Sequence, residues 1–272
     1  MANTTFQTSA LTAEKHSKFY WGVRDSLVLI KRSITHIVRS MDQLLGVILQ
    51  PIMFMLLFRY VFGGAIEVKG TEYVNFLTVG VIIQAAAFGA TTTAIGICND
   101  LQRGIVDRFR SLPMLSWTVL NGHVVADLVR NTLSTVVMIL VALLVGFRPT
   151  ADFLGWVGAF GILLLFTLAI SWLSAILGII SKSVEGVQWF SFVAIFPLTF
   201  ASSAFVPTEG MVTPLKVFAE NQPVTHVIEA IRALLIGTPA SDHIWLAAIW
   251  CTGILIISIP LAAWLFRRKA NN

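Results

Sequence analysis

The chain has 272 residues, 56% of them hydrophobic and 12% charged, with a formal net charge of +5. A soluble domain carries about 25% charged residues, and a water-soluble fold of this size could not hide so much apolar surface. A bilayer can solvate it. The basic residues flank apolar runs instead of forming one basic face, which argues for topology determinants and against a nucleic-acid partner.

Residues 1–42 read as a cytoplasmic tail and an interfacial helix. Met1–Lys18 is polar and lacks the apolar core of a cleavable signal peptide. From Trp21 to Met41, Val23, Leu27, Ile30, Ile34, Ile37, Val38 and Met41 recur at helical spacing, while Arg24, Asp25, Lys31, Arg32 and Arg39 fall elsewhere on the wheel. That pattern predicts an amphipathic helix in the cytoplasmic interface, its cations near anionic headgroups. It is either a lipid anchor alone or also a surface for a cytoplasmic partner.

Residues 43–266 form the transmembrane region. About 20 apolar residues cross the hydrocarbon core, and six stretches meet that length: Gln43–Phe62, Tyr73–Ile97, Thr118–Phe147, Phe153–Ser181, Val187–Phe205 and Ile244–Phe266. In the first, Arg59 lies near the outer end, placed to snorkel toward Glu67 or Glu72. The third opens with His123, Asp127 and Arg130, expected in the cytoplasmic interface with the apolar part starting near Leu133. His123 and Asp127 are four apart and predict a hydrogen-bonded pair, without the third group a catalytic site needs; Asp127 and Arg130 fit an i, i+3 pair.

Orientation follows from lysine and arginine placement. Lys15, Lys18, Arg24, Lys31, Arg32, Arg39, Arg103, Arg108, Arg110, Lys182, Arg267, Arg268 and Lys269 all fall on one side of a six-span chain. The other side has Lys69, Arg148, Lys216 and Arg232 among numerous acidic residues. Both termini, including the 267–272 tail, are therefore expected in the cytoplasm and the protein in the plasma membrane.

Two connections carry structure of their own. In the loop 98–116, Asp100 is placed to cap a short helix with Leu101, Ile105, Val106 and Phe109 on one side and Arg103, Asp107 and Arg110 on another, and Pro113 stops it. Such a helix either docks into a groove of another protein or is a solvated loop that obeys the charge bias. In the external connection 206–242, Thr213-Pro214 opens a short helix to about Glu220. Thr225 is placed to cap a second, lined by Val227, Ile228, Ile231, Leu234 and Leu235 and ended by Gly237 and Pro239. Two short helices, one strongly apolar, predict a re-entrant hairpin in the outer leaflet.

Catalytic signatures are absent. There is no GxxxxGK[ST], HExxH or GxSxG. The five histidines are dispersed, and Cys98 and Cys251 show no metal or redox spacing. No catalytic, metal or cofactor site is expected in this chain, nor the buried acidic chain of a proton-coupled carrier.

Gly104-Ile-Val-Asp-Arg-Phe-Arg-Ser-Leu-Pro-Met114, after Gly89-Ala-Thr-Thr-Thr-Ala-Ile-Gly96, resembles the permease subunits of ABC-2 type transporters, above all the daunorubicin-resistance drug exporters. Phe196-Pro-Leu-Thr-Phe-Ala-Ser-Ser-Ala-Phe-Val-Pro207, Asn221-Gln-Pro-Val-Thr225 and Ala230-Ile-Arg-Ala-Leu-Leu235 resemble the family's C-terminal signature. The resemblance covers Ile48 to Ile236. It implies six transmembrane helices, an amphipathic helix before them, a coupling helix between the second and third, and a re-entrant hairpin before the sixth.

It also implies two permease copies, as a homodimer, above two ABC ATPase subunits that hold ATP and Mg. Arg103, Asp107, Arg108, Phe109 and Arg110 would then meet the ATPase. Substrate would enter a cavity between protomers, for which Met53, Phe54, Gln84, Phe88, Trp189 and Phe196 are lining candidates; a Met- and aromatic-lined surface adapts to varied apolar ligands. The same residues equally suit helix packing or lipid contact. The function so implied is export of an amphiphilic drug, antibiotic or lipid-like metabolite. A polysaccharide or polymer permease is the alternative within the architecture, and a secondary carrier or membrane enzyme the alternative outside it.

Overall fold

The computed structural model describes residues 41–66, 68, 70–103, 117–238 and 242–271. The expected amphipathic helix before Met41 and the 104–116 part of the coupling loop lie outside them. The described residues are helical, with no strand among them. Helix α1 spans Met41–Leu57 and runs into a π turn, Phe58–Phe62; α2 spans Tyr73–Gly89 and α3 Thr91–Gln102. Then follow α4 (Trp117–Val145), α5 (Phe153–Ile180), α6 (Val184–Phe200), a 3-10 turn (Thr208–Gly210), α7 (Thr213–Asn221), α8 (Pro223–Ile236) and α9 (His243–Asn271).

Among the described residues, four stretches are long and apolar enough to cross a membrane: Tyr73–Gln102, Leu120–Val145, Phe153–Ile180 and His243–Lys269. Ile48–Phe62 and Val184–Phe200 are shorter apolar helices. Their burial differs in a way that sorts core from periphery. The apolar windows of Tyr73–Gln102 and α5 are each 67% buried in the chain, against 28% for α4 and 22% for α9. The first two are the spine, and α4 and α9 leave most of their apolar windows uncovered by the rest of the described chain. Helix α5 packs against α3, α8 and α9, while α1 lies against α2 and α4, and α6 against α3 and α2.

Lipid offers no hydrophobic drive between helices, so close packing must hold them. A Cβ on Gly80 of α2 would collide with the carbonyl of Ala204, and one on Gly178 of α5 with the carbonyl of Ala94 on α3. Glycine at these two positions lets backbone meet backbone.

Helix ends follow the sequence signals in part. Asp152 accepts from the Gly155 amide at 2.8 Å and Ser183 from the Gly186 amide at 3.0 Å, capping α5 and α6. Helix α7 opens with proline in its first turn, and α8 ends on Gly237 in the left-handed region at φ 69°. Three expectations are corrected. Helix α8 starts at Pro223 behind Gln222, and Thr225 lies inside it, its hydroxyl 3.4 Å from the Ser203 amide that donates to it. The second span bends at Ala90, where the Thr92 hydroxyl donates to the Gly89 carbonyl at 2.7 Å, and then continues as helix through Gln102. Residues 98–102, expected in a loop, are thus helical. Finally, α6 stops at Phe200, three residues after Pro197, and Ala201–Phe205 turn away instead of completing the span.

Candidate functional site

Aromatic residues at helical spacing build one continuous wall. On α6, Phe192, Phe196 and Phe200 recur every fourth residue, with ring centroids 5.1 and 4.3 Å apart. Trp189 meets Phe192 edge-on at 6.5 Å. On α1 and its π turn, Phe54, Phe58 and Phe62 follow the same spacing at 6.2 and 5.2 Å. The two rows join where Phe205 stacks on Phe58 at 4.6 Å and lies 4.9 Å from Phe200, and where Phe54 meets Phe200 edge-on at 6.2 Å. From α2, Phe88 reaches Phe192 at 6.5 Å. Trp189, Phe192 and Phe196 are exposed. Met53 is exposed beside the wall on α1, outside the ring contacts.

Next to the wall, α1, α2 and the start of α3 line a cleft of about 140 Å³. Gln50, Pro51 and Phe54 line one side, and Gln84, Phe88 and Thr92 the other. Gln84 is 4% exposed, and its Nε2 has no hydrogen-bond partner among the described residues. Buried amides are rarely left unpaired, which singles out this side chain among those lining the cleft. Of the six lining candidates, Phe54, Gln84 and Phe88 share the cleft and Trp189 and Phe196 belong to the wall. Sequence reasoning missed Phe58, Phe192, Phe200 and Phe205, although three of the four lie in the two i, i+4 aromatic series.

Charges inside the bundle are partnered. Asp127 on α4 is wholly buried and accepts hydrogen bonds from Arg130 Nη2 and from Ser171 Oγ on α5. The expected Asp127–Arg130 pair is formed, and it is buried against α5. The expected His123–Asp127 pair is not formed. His123 Nε2 lies instead 2.8 Å from Asp100 Oδ2 on α3, so Asp100 is not a helix cap.

Among the described residues, Arg103, Lys182 and Lys269, all assigned to one side, lie at one end. Arg103 is exposed at the C-terminus of α3. Beside it Gln102 Nε2 donates to the Lys182 carbonyl at 2.8 Å. Lys269 Nζ donates to the carbonyl of Ile179 and, at 3.2 Å, to that of Ser181, capping the end of α5. The ends of α3, α5 and α9 are thereby tied together. Asp107, Arg108, Phe109 and Arg110 fall outside the described residues.

The opposite end holds what the charge count missed. Arg232, assigned there to an outside loop, is 1% exposed on α8 and donates to the Phe76 carbonyl on α2 through Nε at 3.2 Å and Nη2 at 2.8 Å. Its place on the apolar face of α8, between Ile228 and Leu235, was the available signal. Close by, the Nδ1 atoms of His226 and His243 are 3.0 Å apart. Burial, and then the neighbouring His243, hold the His226 imidazole below its ordinary pKa.

Helices apolar enough to span, an exposed aromatic wall and a small, mostly apolar cleft mark an integral membrane protein. Residues 25–236 match the family described as ABC-2 type transporter. The chain is 32% identical over 247 residues to "Daunorubicin resistance ABC transporter permease protein DrrB1" of Streptomyces coeruleorubidus, covering 88% of this chain and 87% of that one. It is 27% identical over 255 residues to "Probable doxorubicin resistance ABC transporter permease protein DrrC" of Mycobacterium tuberculosis, covering 92% and 91%. This chain belongs to the ABC-2 type transporter family and is a permease subunit of the membrane.

Proposed function

We propose that the chain is the membrane half of an ATP-driven exporter that moves an amphiphilic drug, antibiotic or lipid-like metabolite out of the cell. Two copies pair across the aromatic wall, and two ABC ATPase subunits bind the end that holds Arg103. The cleft carries this reading. At about 140 Å³ it falls short of the roughly 300–1,000 Å³ of drug-sized ligand sites. An exposed aromatic wall continues it, so a second copy facing the wall completes a site of sufficient size.

In this reading α1 and α6 cross the membrane with the four longer spans, giving six crossings with both termini inside. Helices α7 and α8 form a re-entrant hairpin from the outside. The gathering of Arg103, Lys182 and Lys269 at one end supports that orientation. Arg103, Asp107, Arg108, Phe109 and Arg110 form the coupling surface. Nucleotide binding closes the ATPase pair and drives the permease from an inward-open to an outward-open state through its unequal affinity for the two. ATP and Mg belong to the partner; this chain contributes the path.

Within the path, ring faces receive the apolar body of the substrate, and the Gln84 amide receives one polar group. The test is resistance. In a drug-sensitive strain expressing the permease with an ABC ATPase, daunorubicin tolerance should rise. It should fall with Phe192→Ala and Phe196→Ala combined, while ATP hydrolysis persists. Unchanged tolerance in that double variant would remove the wall from the path.

A further inference from the structure

After Pro197 the α6 helix ends, and the buried residues Ser202, Ser203, Ala204 and Phe205 leave helical hydrogen bonding. Carbonyls without helical partners must be satisfied from elsewhere in so buried a place. The donors are side chains of other elements. Gln222 Nε2 donates to the Ala201 carbonyl at 2.5 Å, and the Tyr73 hydroxyl to the Phe205 carbonyl at 3.1 Å. Arg232 Nη2 donates to the carbonyls of Ser203 at 2.8 Å and Ala204 at 3.3 Å, and Nη1 donates to the Ser203 hydroxyl at 3.3 Å. The same guanidinium holds the Phe76 carbonyl on α2, lies 3.4 Å over the Phe76 ring, and has its charge met by Glu229 at 2.8 Å.

One side chain thus joins α2, α8 and the turned end of α6. The segment it holds ends in Phe205, whose ring closes the end of the aromatic wall between Phe58 and Phe200. A planar guanidinium with five fixed donors serves this task, and a lysine ammonium, a point charge, cannot reach the same set.

We infer that Arg232 is a positioning residue for transport: by fastening Ala201–Phe205 to α2 and α8 it keeps the Phe205 ring shut across the outer end of the path, as the latch of the outer gate. Tyr73 is the second fastening of the same latch. The assignment rests on the transport path proposed above, but its test needs neither ATP nor a drug.

Vesicles loaded with carboxyfluorescein and carrying equal amounts of purified permease report leakage directly. The wild type should hold the dye. Arg232→Lys removes several charge-assisted bonds and should release dye about tenfold faster, and Tyr73→Phe, which loses one neutral bond, about twofold to threefold faster. Missing protein opens no leak, and a variant whose thermal unfolding midpoint matches the wild type is not misfolded, so faster release from such a variant separates a latch from a general loss of structure. Arg232→Ala is the stronger variant where it assembles; where it does not, the other two decide. Vesicles of both Arg232→Lys and Tyr73→Phe as tight as the wild type would overturn the latch.

Discussion

Asp100 Oδ2 on α3 and His123 Nε2 on α4 stand 2.8 Å apart. With α3 ending at Gln102 and α4 beginning at Trp117, this bond closes the neck of the segment proposed to grip the ATPase. In the proposed mechanism, motion received by 103–116 passes to α3 and α4 as one body only while the neck is closed. Asp100→Ala should lower ATP-driven export about tenfold, the worth of one partly buried polar link. ATPase binding should remain. His123→Gln keeps a donor and should retain most export. Export assays on vesicles with matched protein content check both.

Backbone contact at Gly178 makes a second prediction. An added Cβ would strike the Ala94 carbonyl, whereas one at Gly161 on the same helix meets nothing within 4 Å. Gly178→Ala should cost about 1–3 kcal/mol by overpacking. Gly161→Ala should be neutral or slightly stabilising. Thermal unfolding of the detergent-solubilised protein reports the difference.

The apolar helices were legible because bilayer physics writes them into apolar run length. The Thr213-Pro214 start and the Gly237 stop were legible because proline and glycine act locally. Pairings across helices were not. Asp127 reaches Ser171, 44 positions away, and His123 turns to Asp100 and not to the neighbour four residues on. Arg232 was read as a loop charge because counting charges ignores which helix face carries them. Phe54, Gln84 and Phe88 of the cleft and Trp189 and Phe196 of the wall were named from residue type and depth. Phe205 was not, because it lies beyond the break at Pro197 and joins the wall only through tertiary contact.

The buried carboxylate of Asp127 yields a third prediction. Removing one partner of a buried ion pair strands the other charge, at about 3–5 kcal/mol. Arg130→Met should therefore destabilise strongly. Adding Asp127→Asn should restore part of the loss, because Asn still accepts from Ser171. Unfolding midpoints of the two singles and the double variant form the cycle that checks this. Additive losses would contradict the pairing.

His226 sets a pH dependence. Its imidazole, buried beside His243, has a folded-state pKa below the unfolded value of about 6.5. The unfolded chain then binds more protons in that window, so stability rises with pH and falls as pH drops through 6.5 toward the folded pKa. Unfolding midpoints should decline from pH 7.5 to 5.5, and the decline should flatten in His226→Gln. An equal slope in that variant would place the dependence elsewhere.

The account turns on energy reaching the path from a separate ATPase through 103–116. ATP-dependent drug uptake into inside-out vesicles tests it, with and without the ATPase subunit, for the wild type and for Asp107→Ala combined with Arg110→Ala. Uptake that requires both subunits and ATP, lost together with the complex in the double variant, is the predicted result. Uptake driven by a proton gradient with the permease alone, or an intact and active complex in the double variant, would contradict it.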